Sequence, residues 1–331
     1  MDKAILLKNR PEGKPSESDF EFVDIEREKP EKGQVLLKTL YISVDPYLRG
    51  RMIDQKSYIE PFKLDEPIVS GIVSEVIESK HENFEVGDKV TGMLAWKEFQ
   101  ISNGKGLQKV DGSQAPHSAY LGILGMTGLT AYFGLTDIGQ PKEGETLVVS
   151  GAAGAVGTVV GQIGKILGCN VIGIAGTDEK ITMLKDKFGF DAAINYKTTK
   201  NMQAAIQEAA PDGVDVYFDN VGGDITDAVL SHINNNARIV ACGAISLYNA
   251  TEQPTGPRIE TTLIKKSALI QGFTVGNYAD QFGKGIKQLA QWLGEDKLTY
   301  SETVVEGFEN TPSAFLDLFE GKNEGKMVVK V

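Results

Sequence analysis

Histidine, cysteine and tryptophan are scarce: this chain of 331 residues has three histidines, two cysteines and two tryptophans. His81, His117 and His232 are scattered and join no Cys/His/Glu cluster, so the ligand set of a zinc site cannot be read from the sequence. Cys169 and Cys242 are far apart, each beside a glycine in an apolar stretch, and read as buried thiols rather than halves of a disulfide. No apolar run approaches the roughly eighteen residues a membrane-spanning helix needs. The opening MDKAILLKNRPEGKP carries charges where a secretory leader needs an apolar core, so the expected location is cytoplasmic. Positive charge is also in deficit, 34 Lys and Arg against 45 Asp and Glu, for a net charge of −11. Nucleic acid and anionic membrane surfaces, both held by basic patches, are therefore not expected partners.

What is present changes character along the chain. Up to residue 122, β-branched and aromatic runs at 4–8, 34–44, 68–79 and 89–102 are punctuated by Gly, Pro and Asp, and a partly closed β-domain is expected. Residues 123–139 read as a pair of small-residue helices. Six strand-like runs follow, at 146–151, 170–176, 191–196, 214–220, 237–243 and 268–273. Helical stretches at 155–168, 179–188, 199–209 and 224–235 connect the first five, and the connection over 244–267 is loop-rich. This alternation is the α/β, doubly wound parallel-sheet pattern of dinucleotide-binding domains. Phe282, Ile286, Leu289 and Leu293 share one face of a helix over 279–294. The tail reads as a strand (302–306), a short helix (312–320) and a strand (326–331) that need a sheet to join, and the first domain is the expected one.

The strongest local signal is the turn after the first of these six strands. In SGAAGAVG, Ala152, Gly154 and Gly157 fit G-x-G-x-x-G with alanine first. Gly154 would let the backbone approach a pyrophosphate, Gly157 would let the helix pack close to the strand, and the N–H groups at the helix start would face the phosphates. Glycines in a helix also serve packing alone, but here the strand–turn–helix–strand context is complete. An NAD-specific site usually ends the second strand with an acid for the ribose 2′-hydroxyl. This strand ends in Ala175-Gly176-Thr177, with Lys180 within a helical turn and Tyr196 and Lys197 ending the third strand on the same edge. That favours NADP. Asp178 argues the other way unless it caps a helix starting at Glu179, and Lys180 has the alternative of a solvated helix lysine.

These residues carry a resemblance that spans nearly the whole chain. YISVDPYLRGRM (41–52), GMTGLTAYFGL (125–135), VSGAAGAVGTVVGQIGKILGC (149–169), AGTDEK (175–180), INYK (194–197), YFDNVGG (217–223), the 238–249 stretch and EGFENTPSAFLDLFEGKNEGKMVVKV (306–331) resemble the zinc-free medium-chain dehydrogenase/reductases, most closely the prostaglandin reductase and alkenal/one double-bond reductase branch. The resemblance implies a GroES-like, partly closed β-barrel domain from 1–122 plus 297–331, a Rossmann domain at 123–296 inserted in it, a homodimer, and NADP as cofactor. It implies contacts from Ala153, Gly154, Ala155 and Val156 to the pyrophosphate, and from Lys180 and Tyr196 to the 2′-phosphate. It adds Asn220, the stretch Cys242, Gly243, Ala244, Ile245, Ser246 and Tyr248, then Phe273, Thr274 and Val275 near the nicotinamide, and Asn323 on the tail. Without it, Asn220 and Cys242–Gly243 already sit at carboxyl ends of strands, where Rossmann ligands bind, whereas Asn323 would pass as a turn residue.

With neither a metal nor a flavin signature, the simplest chemistry is zinc-independent hydride transfer from NADPH to the β-carbon of an α,β-unsaturated ketone or aldehyde. Negative charge then builds on the carbonyl oxygen and needs a hydrogen-bond donor. Tyr278 and Tyr58 resemble tyrosines that the family places at the substrate, although most tyrosines pack and hydrogen-bond locally. Met52, Met93, Leu94 and Met126 fit either an apolar pocket wall or the core. Arg49 and Arg51 fit a structural ion pair better than a ligand contact. The stretch MLAWKE (93–98) departs from the animal prostaglandin reductases. Two other functions compete: a zinc-free NADPH:quinone oxidoreductase, and a non-catalytic NADPH-binding regulatory or structural protein.

Overall fold

The computed structural model describes residues 1–113 and 115–331. The chain forms two compact units, one from Met1–Gly122, Glu302–Asn323 and Met327–Val331, the other from Ile123–Ser301 and Glu324–Lys326.

The first unit begins with β1 (Asp2–Leu7), paired antiparallel with β2 (Phe20–Ile25). Then come β3 (Val35–Ser43), the single-turn α1 (Leu48–Arg51), β4 (Val69–Ser79), β5 (Lys89–Ala95), β6 (Phe99–Ser102) and β7 (Gln108–Lys109). The run expected at 89–102 is thus two strands. It breaks because Trp96 turns into the core, where it is fully buried and its indole N–H donates to Ser70 Oγ at 2.8 Å.

The second unit opens with α2 (Met126–Phe133), which continues directly into a wider π-helical turn at Gly134–Gly139, so the expected helix pair is one uninterrupted helix. The alternation that follows is β8 (Thr146–Ser150), α3 (Gly157–Ile166), β9 (Asn170–Ala175), α4 (Asp178–Asp186), β10 (Ala192–Asn195), α5 (Met202–Ala209), β11 (Val214–Asp219), α6 (Gly223–Leu230), β12 (Ile233–Ala241), α7 (Glu260–Lys266), β13 (Leu269–Gly272) and α8 (Phe282–Gly294). The sheet order is β10-β9-β8-β11-β12-β13, all parallel. That is the Rossmann order, reversing between β8 and β11, and its ligand crevice lies at the carboxyl ends there. Strands buried on both faces explain the runs of Val and Ile: every residue of β8 is buried. The loop-rich connection contains α7, a short crossover to β13. In α8 the expected face is the inward one, with Leu289 buried and Phe282, Ile286 and Leu293 half-buried.

The tail supplies β14 (Glu302–Glu306), α9 (Thr311–Asp317) and β15 (Lys326–Lys330). The sheet they join runs β14-β15-β3-β4-β5-β7, with β6 against β3. Phe308, Phe315 and Val329 of the tail share one core with Ile5, Leu37, Ile72 and Trp96. Residues 297–301, expected with the first domain, group with the second unit. The reason is local: Gln162 of α3 is buried and clamps Thr299 by donating to its carbonyl (2.9 Å) and accepting from its N–H (2.8 Å).

Candidate dinucleotide site

The turn from β8 to α3 is built as the glycine pattern requires. A side chain at Gly157 would bring its Cβ to 2.4 Å from the Gly151 carbonyl oxygen and 2.6 Å from Ala152 Cα, so only glycine lets α3 start this close to the strand. Thr177 caps α4 by accepting from the Lys180 N–H, and Asn201 caps α5 by accepting from the Ala204 N–H. No side chain caps α3, whose first turn follows Ala153, Gly154, Ala155 and Val156. The leading N–H groups and positive dipole end of such a helix suit a ligand's phosphate. Across the turn, the Gly325 N–H donates to the Ala153 carbonyl at 2.8 Å, and Gly325 forms an isolated parallel bridge with Gly154.

Beyond β9 the backbone ends in Gly176. A Cβ there would meet Tyr196 Cε1 at 3.0 Å, the Tyr196 hydroxyl at 3.1 Å and Lys197 Cε at 3.2 Å. Lys180, half-buried, joins them from the first turn of α4: burial holds its ammonium below the usual lysine range, Glu324 opposes that shift, and Lys197 adds to it. Gly176 lets Tyr196 and Lys197 pack against the end of β9 with Lys180 beside them, and two lysines and a phenol at one strand end suit an added phosphate. Asp178 is not the cap of α4 but its first residue, and its carboxylate is engaged by Asn195 Nδ2 at 2.7 Å. The acid that argued for NAD therefore has a partner of its own.

At the switch point one carboxylate organises the neighbouring edges. Asp219 is buried at the end of β11, where Oδ1 accepts from Ser150 Oγ, the Tyr217 hydroxyl and the N–H groups of Val221 and Gly222, and Oδ2 accepts from Thr226 Oγ1, over 2.6–3.0 Å. Its carbonyl accepts from the Cys242 and Gly243 N–H groups at 2.9 and 3.0 Å. Asn220 follows, its N–H on Ser150 Oγ and its amide on the Ser150 carbonyl. Tyr248 folds back so that its hydroxyl accepts from the Ala244 N–H at 3.3 Å, and Ser246 Oγ donates to the Val221 carbonyl at 2.6 Å. Asn220, Cys242, Gly243, Ala244, Ser246 and Tyr248 are thus one connected edge. The keystone, Asp219, escaped the sequence reading; its signal was an acid ending a strand inside YFDNVGG. Cys169 is buried as expected, while Cys242 is partly exposed, because it sits at this edge rather than beneath it.

Phe273 and Tyr278 pack edge to face, 6.2 Å between ring centres. Thr274 caps the turn over Val275–Gln281, its N–H donating to Asn277 Oδ1. Tyr278 is 8% exposed, stacks flat on Phe133 at 4.6 Å, and its hydroxyl donates to Asp137 Oδ2 at 2.8 Å. Burial, with the Asp137 carboxylate second, pushes this phenol up to about 12.

In the first unit, Tyr58 is 68% exposed on the loop after α1. Two arginines clamp that loop: Arg51 donates to the carbonyls of Glu60 (2.9 Å) and Val69 (3.1 Å) and lies over the Phe62 ring, and Arg10 donates to the carbonyls of Met52 and Phe62. Arg49 donates to the carbonyls of Pro11 and Gly13. Arg49 and Arg51 both hold backbone carbonyls of neighbouring loops, which is a structural role. Met52 and Leu94 are core residues, and Met93 is exposed. Asn323 closes the first unit's segment 302–323. Among the described residues, no group of three or more His, Cys, Asp or Glu could hold a metal ion.

Strand order and glycine turn define a Rossmann-type protein with an appended β-domain. Residues 3–110 match a family model described as the N-terminal domain of oxidoreductase, and residues 155–291 match one described as zinc-binding dehydrogenase. The chain is 59% identical to the Bacillus subtilis (strain 168) protein YfmJ, over 99% of this chain and 97% of that one. It is 44% identical to the NADPH-dependent curcumin reductase of Escherichia coli K12 (98% and 96% covered) and 44% identical to the NADP-dependent 2-alkenal reductase of Nicotiana tabacum (100% and 97%). The crystal structure of Vibrio vulnificus CurA in complex with NADPH superposes with a TM-score of 0.94 at 45% identity, 99% of each chain being covered. The chain belongs to the medium-chain dehydrogenase/reductase superfamily, in the branch of the prostaglandin, alkenal and curcumin reductases.

Proposed function

We propose that this protein is an NADPH-dependent reductase of the carbon–carbon double bond of α,β-unsaturated ketones and aldehydes. The observation that carries the cofactor choice is the cluster of Tyr196, Lys197 and Lys180 at Gly176, where an acid would repel a 2′-phosphate. The reaction class rests on relatives named for curcumin and 2-alkenal reduction.

Ala153 to Val156 and the uncapped start of α3 would hold the pyrophosphate, and Lys180 and Tyr196 the 2′-phosphate. Asn220, the 242–248 edge, Phe273 to Val275 and Asn323 would complete the cofactor's contacts. Bound there, NADPH supplies hydride to the substrate's β-carbon. What the side chains must add is electrostatic. They offer an O–H to the carbonyl oxygen while it carries the enolate charge, until the α-carbon takes a proton. Tyr58 and Tyr278 are assigned that role. They are not equivalent, since Tyr58 is largely exposed and Tyr278 must exchange Asp137 for the substrate.

We place the protein in the cytoplasm and assign it a homodimeric state, with GroES-like catalytic and NADP-binding domains as the functional division. No helix among the described residues is long and apolar enough to cross a membrane.

The test is NADPH consumption with a panel of enones, enals and quinones, followed by product mass. The expected product has gained two hydrogens across the carbon–carbon bond, with NADH a poor donor. Turnover of quinones alone would make this a quinone oxidoreductase, and binding without turnover would make it a non-catalytic NADPH-binding protein.

A further inference from the structure

The cluster beyond β9 has a feature the cofactor reading leaves unused: an acid from the far end of the chain. Residues 324–326 lie over the glycine turn as a short strap. Gly325 donates its N–H to the Ala153 carbonyl at 2.8 Å and bridges Gly154, and Lys326 donates its N–H to the Ser301 carbonyl at 2.9 Å. Gly325 has φ +63, and a Cβ on it would come within 2.0 Å of the Ser301 carbonyl oxygen, so the strap passes this close only with glycine at 325. Glu324 is thereby held beside the turn that receives the pyrophosphate, with an exposed side chain. After burial, its charge is the largest influence on Lys180, ahead of the like charge of Lys197.

We propose that Glu324 is a resident counter-anion of the 2′-phosphate pocket, pairing with Lys180 in the cofactor-free protein and yielding to the phosphate when NADP binds. This rests on the cofactor reading above and deepens it. Two lysines converging on one strand end repel each other when no anion is bound there, and a nearby carboxylate relieves that repulsion. The same carboxylate opposes an incoming dianion. Glu324 therefore weakens the hold on NADP and speeds its departure, while Lys180 and Lys197 still favour it over NAD. Most ligating residues tighten binding; this one sets an upper limit on it.

The test is Glu324→Gln, which keeps length and shape while removing charge. Dissociation constants for NADP+, adenosine 2′-phosphate and NAD+ are measured by calorimetry against the unaltered protein. The expected result is tighter binding of both 2′-phosphate ligands by about three- to ten-fold, a slower NADP+ off-rate, and little change for NAD+. Equal or weaker binding of the phosphate ligands, or equal tightening of NAD+, would overturn the proposal. An unaltered protein that binds NAD+ as well as NADP+ would instead overturn the cofactor reading on which it rests. A Glu324 that merely held the strap in place would, once replaced, weaken all three ligands.

Discussion

At the scale of single residues, burial and packing separate the two tyrosines that the sequence offers. A phenol stabilises an enolate only if its proton points to the oxygen. Tyr278 gives its proton to Asp137 at 2.8 Å and stacks on Phe133, so part of any gain from the substrate is spent on breaking that bond. Tyr58 stands exposed on a loop fixed by Arg51 and Arg10. Tyr58→Phe should lower kcat about ten-fold or more, and Tyr278→Phe less, both with NADPH affinity nearly unchanged. Steady-state kinetics with an enone, beside cofactor titrations, check the order. A larger loss in Tyr278→Phe would mean that Asp137 aims the tyrosine rather than competes for it. That Tyr196 and Lys197 meet at Gly176 was legible because it depends on residue types at strand ends. The Tyr278–Asp137 bond was not, because it joins residues 141 positions apart through tertiary packing.

Between elements, the amino edge of the second sheet is tied by one side chain. Arg238 in β12 donates to the carbonyls of Gly139 and Gln140 at 3.0 Å each and pairs with Glu145, just before β8. Burial of Glu145 disfavours its charge, but Arg238 and the Lys142 N–H outweigh that and hold its carboxyl below the ordinary 4.5. A depressed carboxyl stabilises the fold fully above its unfolded value and loses that contribution as pH falls through the folded one. Arg238→Met should lower stability by about 2–3 kcal/mol near neutral pH, because it also strands two carbonyls. The gap between variant and parent should narrow as pH falls below the ordinary carboxyl value of 4.5. Thermal melts across that range check both statements, and a constant gap would remove Glu145 from the account. The same strand shows where sequence periodicity fails. Residues 233–235 read as the end of a helix, yet β12 begins at Ile233, with three asparagines bulged between the pairings of Ile233 with Val214 and Arg238 with Val216. Asparagine disfavours strands, and only the neighbouring β11 holds these residues in one. The buried parallel strands β8, β9 and β11 carry no such conflict, so their apolar runs were legible.

At the scale of the whole molecule, the second sheet ends on an open edge strand. β13 pairs with β12 on one side and forms the end of the strand order. Leu269 on it is 47% exposed, and Ile264 on the preceding α7 is 78% exposed. Edge strands offer unpaired N–H and C=O groups, and lone surface hydrophobics gain when a second copy covers them. A two-fold axis at such an edge sets β13 antiparallel to its copy, extending the sheet and burying both residues from each subunit. Electrostatics oppose the pairing, since each chain brings a net charge of −11. Because salt screens that repulsion, a dimer held by this edge tightens as ionic strength rises, the reverse of one held by ion pairs. Sedimentation velocity should therefore find a dimer whose dissociation at low concentration is suppressed by salt. Leu269→Asp combined with Ile264→Asp should give monomers of unchanged circular dichroism, because neither side chain belongs to the described core clusters. A dimer that survives both substitutions must use another face. A parent that is monomeric at all concentrations would leave β13 protected only by its brevity, four residues being too short a template for stable pairing.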